Sequence, residues 1–292
     1  MSVILLDEPL VPTPPRWRRF VARLLRNPSV VVGGTILILL ILLALFAPWV
    51  APYDPFKVNP VQRLKPPSWL HLMGTDEVGR DLFSRLIFGS RYFLLICIVT
   101  ASISASIGTL LGLIAGAGSV VTESIIMRLI DVMLAFPYIL MVLVIVAILG
   151  PSLWTGMISI GIAGIPGYAR LVRSAVLTVK REDYVVSARA LGASEADILF
   201  RTILPNVLSP LIVYLAFSMP LAALVTSSLS FIGLGTQPPA PEWGAMLVNS
   251  RTYLFSAWWA VTGPGMALFI SIFGLNILGN GLRDVLDPRS AA

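Results

Sequence analysis

The chain has 292 residues, of which 57% are hydrophobic and only 12% charged, and its mean hydropathy is +0.87. A water-soluble domain carries about 25% charged residues, so this composition excludes a soluble enzyme, a disordered protein and a coiled coil. The net charge of +6, in a chain this apolar, reads as orientation relative to a bilayer and not as a nucleic-acid footprint, and no nucleic-acid partner is expected.

A helix that crosses hydrocarbon needs roughly 20 apolar residues, because lipid gives a bare backbone nothing to hydrogen-bond. An arginine-rich arm at 1–29 (Arg16, Arg18, Arg19, Arg23, Arg26) leads into a first apolar helix at 30–50. No small-residue cleavage site follows it, so the helix reads as a retained span and not as a signal peptide. A long external segment at 51–91 comes next. The remaining core, 92–282, divides into helices at about 92–117, 125–149, 152–170, 208–231 and 258–281. Gly150-Pro151-Ser152 marks the turn between the third and fourth spans, and a polar loop at 171–206 separates the fourth and fifth. A tail at 283–292 ends the chain.

The expected fold is therefore an all-α polytopic membrane protein with six transmembrane helices. Arg170, Arg173, Lys180, Arg181, Arg189 and Arg201 lie around the 171–206 loop, and Arg283 and Arg289 follow the last helix. An even number of spans puts these on the same face as the N-terminal arm, and the excess of Lys and Arg assigns that face to the cytoplasm. Both termini are expected there. The 51–91 segment is also basic, but long loops translocate largely regardless of charge.

Within the polar loop, Tyr184, Val185, Ala188 and Leu191 recur as one helical face. Gly192 suits a left-handed C-terminal cap, and Ser194-Glu195-Ala196-Asp197 is similar to a capping box. Two short helices with a glycine elbow can fold back on their own bundle or dock a partner through their exposed apolar residues. In the second span Thr100, Ser104, Gly108, Gly112 and Gly116 place a small residue at every fourth position, a packing stripe for a helix of this chain or of another subunit. Gly161, Gly164, Pro166 and Gly167 predict an irregular fourth helix near its cytoplasmic end. Arg128 and Asp131, one turn apart, predict an ion pair.

Catalytic constellations are missing from the sequence. Cys97 is the lone cysteine and His71 the lone histidine, which leaves no disulfide, no His-based metal site and no Ser-His-Asp triad. None of Lys57, Lys65 and Lys180 sits in a phosphate-binding loop, so ATP energy has to come from a separate polypeptide. No acid or base falls mid-span, which weighs against a proton-coupled carrier. No inverted repeat relates 30–150 to 151–282, as a secondary carrier often requires. A pure scaffold is the remaining rival, and glycine-broken helices suit moving parts better.

Four ordered patches then carry a family likeness. They are Asn27-Pro28 with Phe46-Ala47-Pro48 and Ala51-Pro52-Tyr53-Asp54-Pro55; Gly74-Thr75-Asp76-Glu77-Val78-Gly79-Arg80-Asp81; Ala188-Arg189-Ala190-Leu191-Gly192 through Leu204-Pro205-Asn206; and Phe231-Ile232-Gly233-Leu234-Gly235 with Pro241-Glu242-Trp243-Gly244. The sequence resembles the permease subunits of bacterial ABC importers, specifically the C-type inner-membrane subunit of the dipeptide, oligopeptide and nickel class. In the family's Glu-Ala-Ala loop signature, Val186 stands at the Glu position, Ser187 and Ala188 at the Ala positions and Thr202 at the Ile position, while Gly192, Leu204 and Pro205 match.

The resemblance implies a non-catalytic membrane subunit whose cytoplasmic loop couples it to ATPases. The coupling residues are Tyr184, Val185, Ser187, Ala188, Arg189, Leu191, Gly192, Ala193, Ser194, Leu204 and Pro205, with a tight anchoring turn expected at Leu204-Pro205. It implies a second permease subunit, two cytoplasmic ATPase subunits that use ATP and Mg, and a periplasmic or lipid-anchored solute-binding protein. No cofactor or metal is expected on this chain. Residues 51–91 and 236–257 are expected to form the rim facing the binding protein. Peptides are the default cargo of the class, although nickel, glycosides and other solutes use similar subunits.

Overall fold

Residues 16–286 are described by a computed structural model. Asp287, Pro288 and Arg289, with the rest of the expected tail at 287–292 and the expected arm at 1–15, lie outside the described residues. An amphipathic helix α1 (Arg16–Arg26) leads to α2 (Pro28–Leu45). Asn27 caps α2 by accepting from the Ser29 and Val30 amides, and Pro28 occupies its first turn, where a missing N–H costs nothing. The expected helix at 30–50 is interrupted at Phe46, with a separate turn at Ala47–Val50. Pro48 cannot donate to the Ala44 carbonyl and its ring would clash with it; Arg91 Nε donates to that carbonyl at 2.6 Å instead.

Helix α3 (Leu82–Ala117) starts ten residues before the expected 92, because Asp81 caps it by accepting from the Ser84 amide. Arg85 is buried and bonded to carbonyls of other segments, and Arg91 reaches to the Ala44 and Leu45 carbonyls at the end of α2, so neither ends the helix. The expected helix at 125–149 is two helices, α4 (Val120–Ala135) and α5 (Tyr138–Leu149), bent by 88°. Pro137 drives the preceding Phe136 into extended backbone (ψ 134°), which no helix can continue through. Gly150 turns the chain at φ 86°, and Ser152 caps α6 (Leu153–Val179). Contrary to the expected irregularity, α6 runs on through Pro166. Then come α7 (Asp183–Ala190), α8 (Leu204–Phe231), α9 (Trp243–Ser250) and α10 (Trp258–Leu286).

Among the described residues, four helices are long and apolar enough to cross a membrane: α2, α3, α8 with the short segment before it, and α10. The bent pair α4–α5 makes a fifth if taken as one broken span. The 27-residue α6 is long enough but less apolar. Its face is glycine-rich and turned to protein, with Gly156, Gly161, Ala163, Pro166, Tyr168 and Ala169 all buried.

The α3–α6 contact is a close seam of the bundle. A Cβ on Gly108 would lie 2.5 Å from Tyr168 Cβ, one on Gly112 2.6 Å from the Ala169 carbonyl, and one on Gly116 2.7 Å from Val176 Cβ. Ser104 Oγ donates to the Gly161 carbonyl at 2.7 Å. The small-residue stripe therefore faces a helix of the same chain, where backbone-to-backbone approach replaces the hydrophobic drive that lipid cannot supply. At the C-terminal end of this seam Lys180 Nζ donates to the Gly116 carbonyl at 3.1 Å, a cation at a helix C-terminus.

Candidate functional site

Between α6 and α8 the chain leaves the bundle and makes an elbow. Helix α7 ends in a Schellman motif: the Ala193 amide donates to the Ala188 carbonyl at 3.1 Å and the Gly192 amide to the Arg189 carbonyl at 3.0 Å. This closure requires a left-handed residue after the C-cap, and Gly192 supplies it at φ 88°. Ser194 then caps a single turn, Glu195–Asp197, accepting from the Asp197 amide and donating to its carboxylate. Arg189 grips both Glu195 oxygens, at 2.6 and 3.1 Å, across the elbow. That hydrogen bond raises the Arg189 pKa. The pair is solvent-exposed, so it shapes the turn more than it stabilises it.

One side of the elbow is anchored. Val185, Ile198, Ile203 and Val207 are buried with Val172 and Val176 in a single cluster. The other side is bare: Tyr184, Val186, Leu191 and Phe200 are exposed, Leu191 by 89%. The expected common face of Tyr184, Val185, Ala188 and Leu191 is therefore split. α7 is only eight residues long, and Leu191, as its C-cap, already projects off the turn. Leu204-Pro205 is not a turn. A π-helical segment, Ile198–Ile203, runs straight into α8, and Pro205 occupies the first turn of that helix.

Beside the elbow, Arg173 holds Glu123 (Nε to Oε1, 2.9 Å) and Arg170 holds Asp131 at 2.6 Å. Asp131 thus pairs across to α6 and not with Arg128 on its own helix. The two bridges tie α4 to α6 at the elbow end. Neither pairing is visible in sequence, since each joins residues far apart along the chain.

At the opposite end, residues 51–91 and 236–257 pack together. Arg85, buried, donates to the carbonyls of Pro55 (3.0 Å), Pro239 (3.2 Å) and Ala240 (3.5 Å), and Asp76 is held by Arg80 at 2.6 Å. His71 is buried against Asp81 at 2.9 Å. Glu242, 3% exposed, caps α9 through the Gly244 and Ala245 amides and accepts from Ser230 Oγ at the end of α8. Burial pushes the Glu242 carboxyl above the usual carboxylate value, against these three hydrogen bonds. Burial, and after it the neighbouring Asp76, raises Glu77 likewise. In sequence this segment is placed by topology and resemblance alone; the four charges among residues 76–81 are the signal that could have located the knot. Among the described residues no three His, Cys, Asp or Glu side chains group as a metal site.

Two family descriptions match the chain: "Binding-protein-dependent transport system inner membrane component" over residues 108–291, and "N-terminal TM domain of oligopeptide transport permease C" over residues 15–67. A di/tripeptide transport system permease protein of Pseudomonas aeruginosa is 45% identical, over 97% of this chain and 95% of its own. A probable D,D-dipeptide transport system permease protein of Escherichia coli is 42% identical (90% and 89% covered), and a glutathione transport system permease protein of Pectobacterium atrosepticum is 41% identical (94% and 91% covered). Among solved structures, a chain of the inward-facing MetNI methionine ABC transporter aligns with a TM-score of 0.57 at 16% identity, over 70% of this chain and 96% of that one, a likeness of fold.

Proposed function

This chain belongs to the family of binding-protein-dependent transport inner-membrane components, and on that premise we propose that it carries small peptides across a bacterial inner membrane as one half of a two-permease path. It is a multi-pass membrane permease subunit of an ABC importer and not an enzyme. Its proposed companions are a second permease, two cytoplasmic ATPase subunits that bind ATP and Mg, and an external solute-binding protein. The peptide assignment rests on what the reported relatives are named for.

Six crossings fit the bundle when α4–α5 is one broken span and α6 a span shielded from lipid by α3 and the neighbouring helices. The proposed cytoplasmic face is the elbow end, because the arginines of α1, the elbow and the C-terminus of α10 share it. Both termini then lie in the cytoplasm. The 51–91 and 236–257 segments face outward as the proposed rim for the binding protein.

The observation that carries the coupling role is the two-sided elbow, with Val185 and Ile198 sunk in the bundle and Leu191 and Tyr184 free. A push on the free side is delivered to α6 and α8 through a dry, packed contact, which transmits displacement because interiors are stiff. In this reading the ATPase pair closes on ATP, draws the elbows of the two permeases together and rocks the helices outward; hydrolysis restores the inward state.

Gly192 gives the test. A Cβ there meets nothing within 4 Å, so substitution acts through backbone conformation alone. Gly192→Val, β-branched at positive φ, is expected to lower uptake at least tenfold with membrane insertion intact, and Gly192→Asn, which tolerates the left-handed region, to restore most of it. Equal uptake by the valine variant contradicts the elbow's role.

A further inference from the structure

Beside the break of α4 into α5 lies a hollow of about 170 Å³ that opens to the surface of the subunit along Leu134, Tyr214 and Leu221. That is room for several water molecules at about 30 Å³ each. Tyr138, Tyr168 and Tyr214 bring three phenol rings to it, and Thr100, Ser104 and Ser218 add hydroxyls; among the described residues no charged side chain lines it. Tyr168 Oη is 2.6 Å from Ser218 Oγ, and the Tyr168 and Tyr214 rings meet edge-on at 4.7 Å. Tyr214 Oη has no hydrogen-bond partner among the described residues. It lies over Gly167, where a Cβ would come within 2.1 Å of it.

Two features make this more than loose packing. Non-helical backbone at membrane depth is tolerated where it lines a cavity, and the break at Phe136-Pro137 immediately precedes Tyr138. Pro166 and Pro220 in the flanking helices each remove a backbone donor as well. Moreover, Tyr214 lines a second, larger hollow of about 440 Å³, which extends along α8 past Ser209 and Asn206 to Arg283 near the end of α10. The Tyr214 ring thus lines both hollows, and the second leads from it toward the elbow end.

We infer that the phenol-lined chamber is a solute subsite within this subunit, that it recognises the uncharged amide groups of a small peptide, and that Tyr214 is the residue a peptide passes to leave it. This rests on the permease reading. A peptide unit offers one N–H and one C=O, and a phenol can both donate and accept, so the chamber can hold any peptide bond without regard to side chain. Having no charge, it does not retain a terminal ammonium or carboxylate, as suits a station a cargo must leave.

The test uses the complete transporter with its companion subunits in proteoliposomes, with saturating binding protein loaded with alanyl-alanine. Tyr214→Phe and Tyr168→Phe keep the rings, and Ser218 Oγ retains the Leu215 carbonyl at 3.0 Å as a partner. Gly167→Ala displaces the Tyr214 hydroxyl instead of deleting it. Each is expected to lower maximal uptake about 3- to 10-fold, the equivalent of one neutral hydrogen bond, while ATP hydrolysis stimulated by loaded binding protein stays within about twofold. Peptides moved per ATP therefore fall. Wild-type uptake in all three variants overturns the subsite. Equal losses of uptake and stimulated hydrolysis also overturn it, since they mark a part of the rocking bundle. If the wild-type complex moves no peptide at all, the peptide reading fails, and the chamber's assignment with it.

Discussion

Glu242 shows how one buried carboxyl fastens two segments. It caps α9 through two backbone amides and holds the end of α8 through Ser230, so its removal leaves buried donors unpaired, at about 1–3 kcal/mol each. Its pKa in the folded chain is raised above 4.5, so folding favours the protonated form. Stability from that preference is fully present below pH 4.5 and is lost as pH rises through the higher folded value. Glu242→Ala is therefore expected to lower the thermal midpoint at neutral pH, and the wild type's margin over it to widen as pH falls toward 4.5. A margin that narrows on acidification contradicts burial as the dominant effect. Arg85 does the same work nearby through three carbonyls, a geometry that a lysine's single ammonium cannot reproduce.

At the scale of elements, the α3–α6 seam decides whether the bundle closes. Gly112 faces the Ala169 carbonyl and Val172 Cβ at distances no side chain allows, and the obstructing atoms are backbone or close to it. Gly112→Leu is expected to destabilise the isolated subunit by about 3 kcal/mol, the upper end of overpacking costs, measured as thermal unfolding in detergent. A variant as stable as wild type would show that α3 and α6 can part without loss. The apolar runs of α2, α3, α8 and α10 were legible because helix length and lipid thickness are linked by the 1.5 Å rise. The small-residue stripe at 108–116 was legible too, although its partner was not.

What escaped was local. Counting charge-free residues smoothed over Phe136-Pro137, a breaker in plain view, and so merged α4 with α5. Pro48 was likewise a breaker in the sequence, and what could not be read there is Arg91 reaching back from α3 to the freed Ala44 carbonyl. The elbow's split face followed from α7 ending one residue before Leu191. Tyr138, Tyr168 and Tyr214 carry no shared periodicity. Only the packing of α5, α6 and α8 brings them together, which no reading along the chain can foresee.

The whole molecule is a bundle with two distinct ends. One end is knotted by buried charge pairs around Asp76, Arg80 and Arg85. The other carries exposed arginines and an elbow with a bare apolar side. The hollows near Tyr214 lie between, closer to the elbow. In the proposed reading the knotted end serves as a firm rim, the elbow as a stiff lever and the uncharged chamber as a site that binds its cargo only loosely.

The claim on which this depends is that the chain does no chemistry and is moved through the elbow. Leu191 tests it most directly, because at 89% exposure it has little to do with the subunit's own stability. Leu191→Asp should leave insertion and thermal midpoint unchanged, yet reduce peptide uptake by the reconstituted transporter at least tenfold and detach ATP hydrolysis from loaded binding protein. Full uptake with hydrolysis still responsive to loaded binding protein would contradict the account.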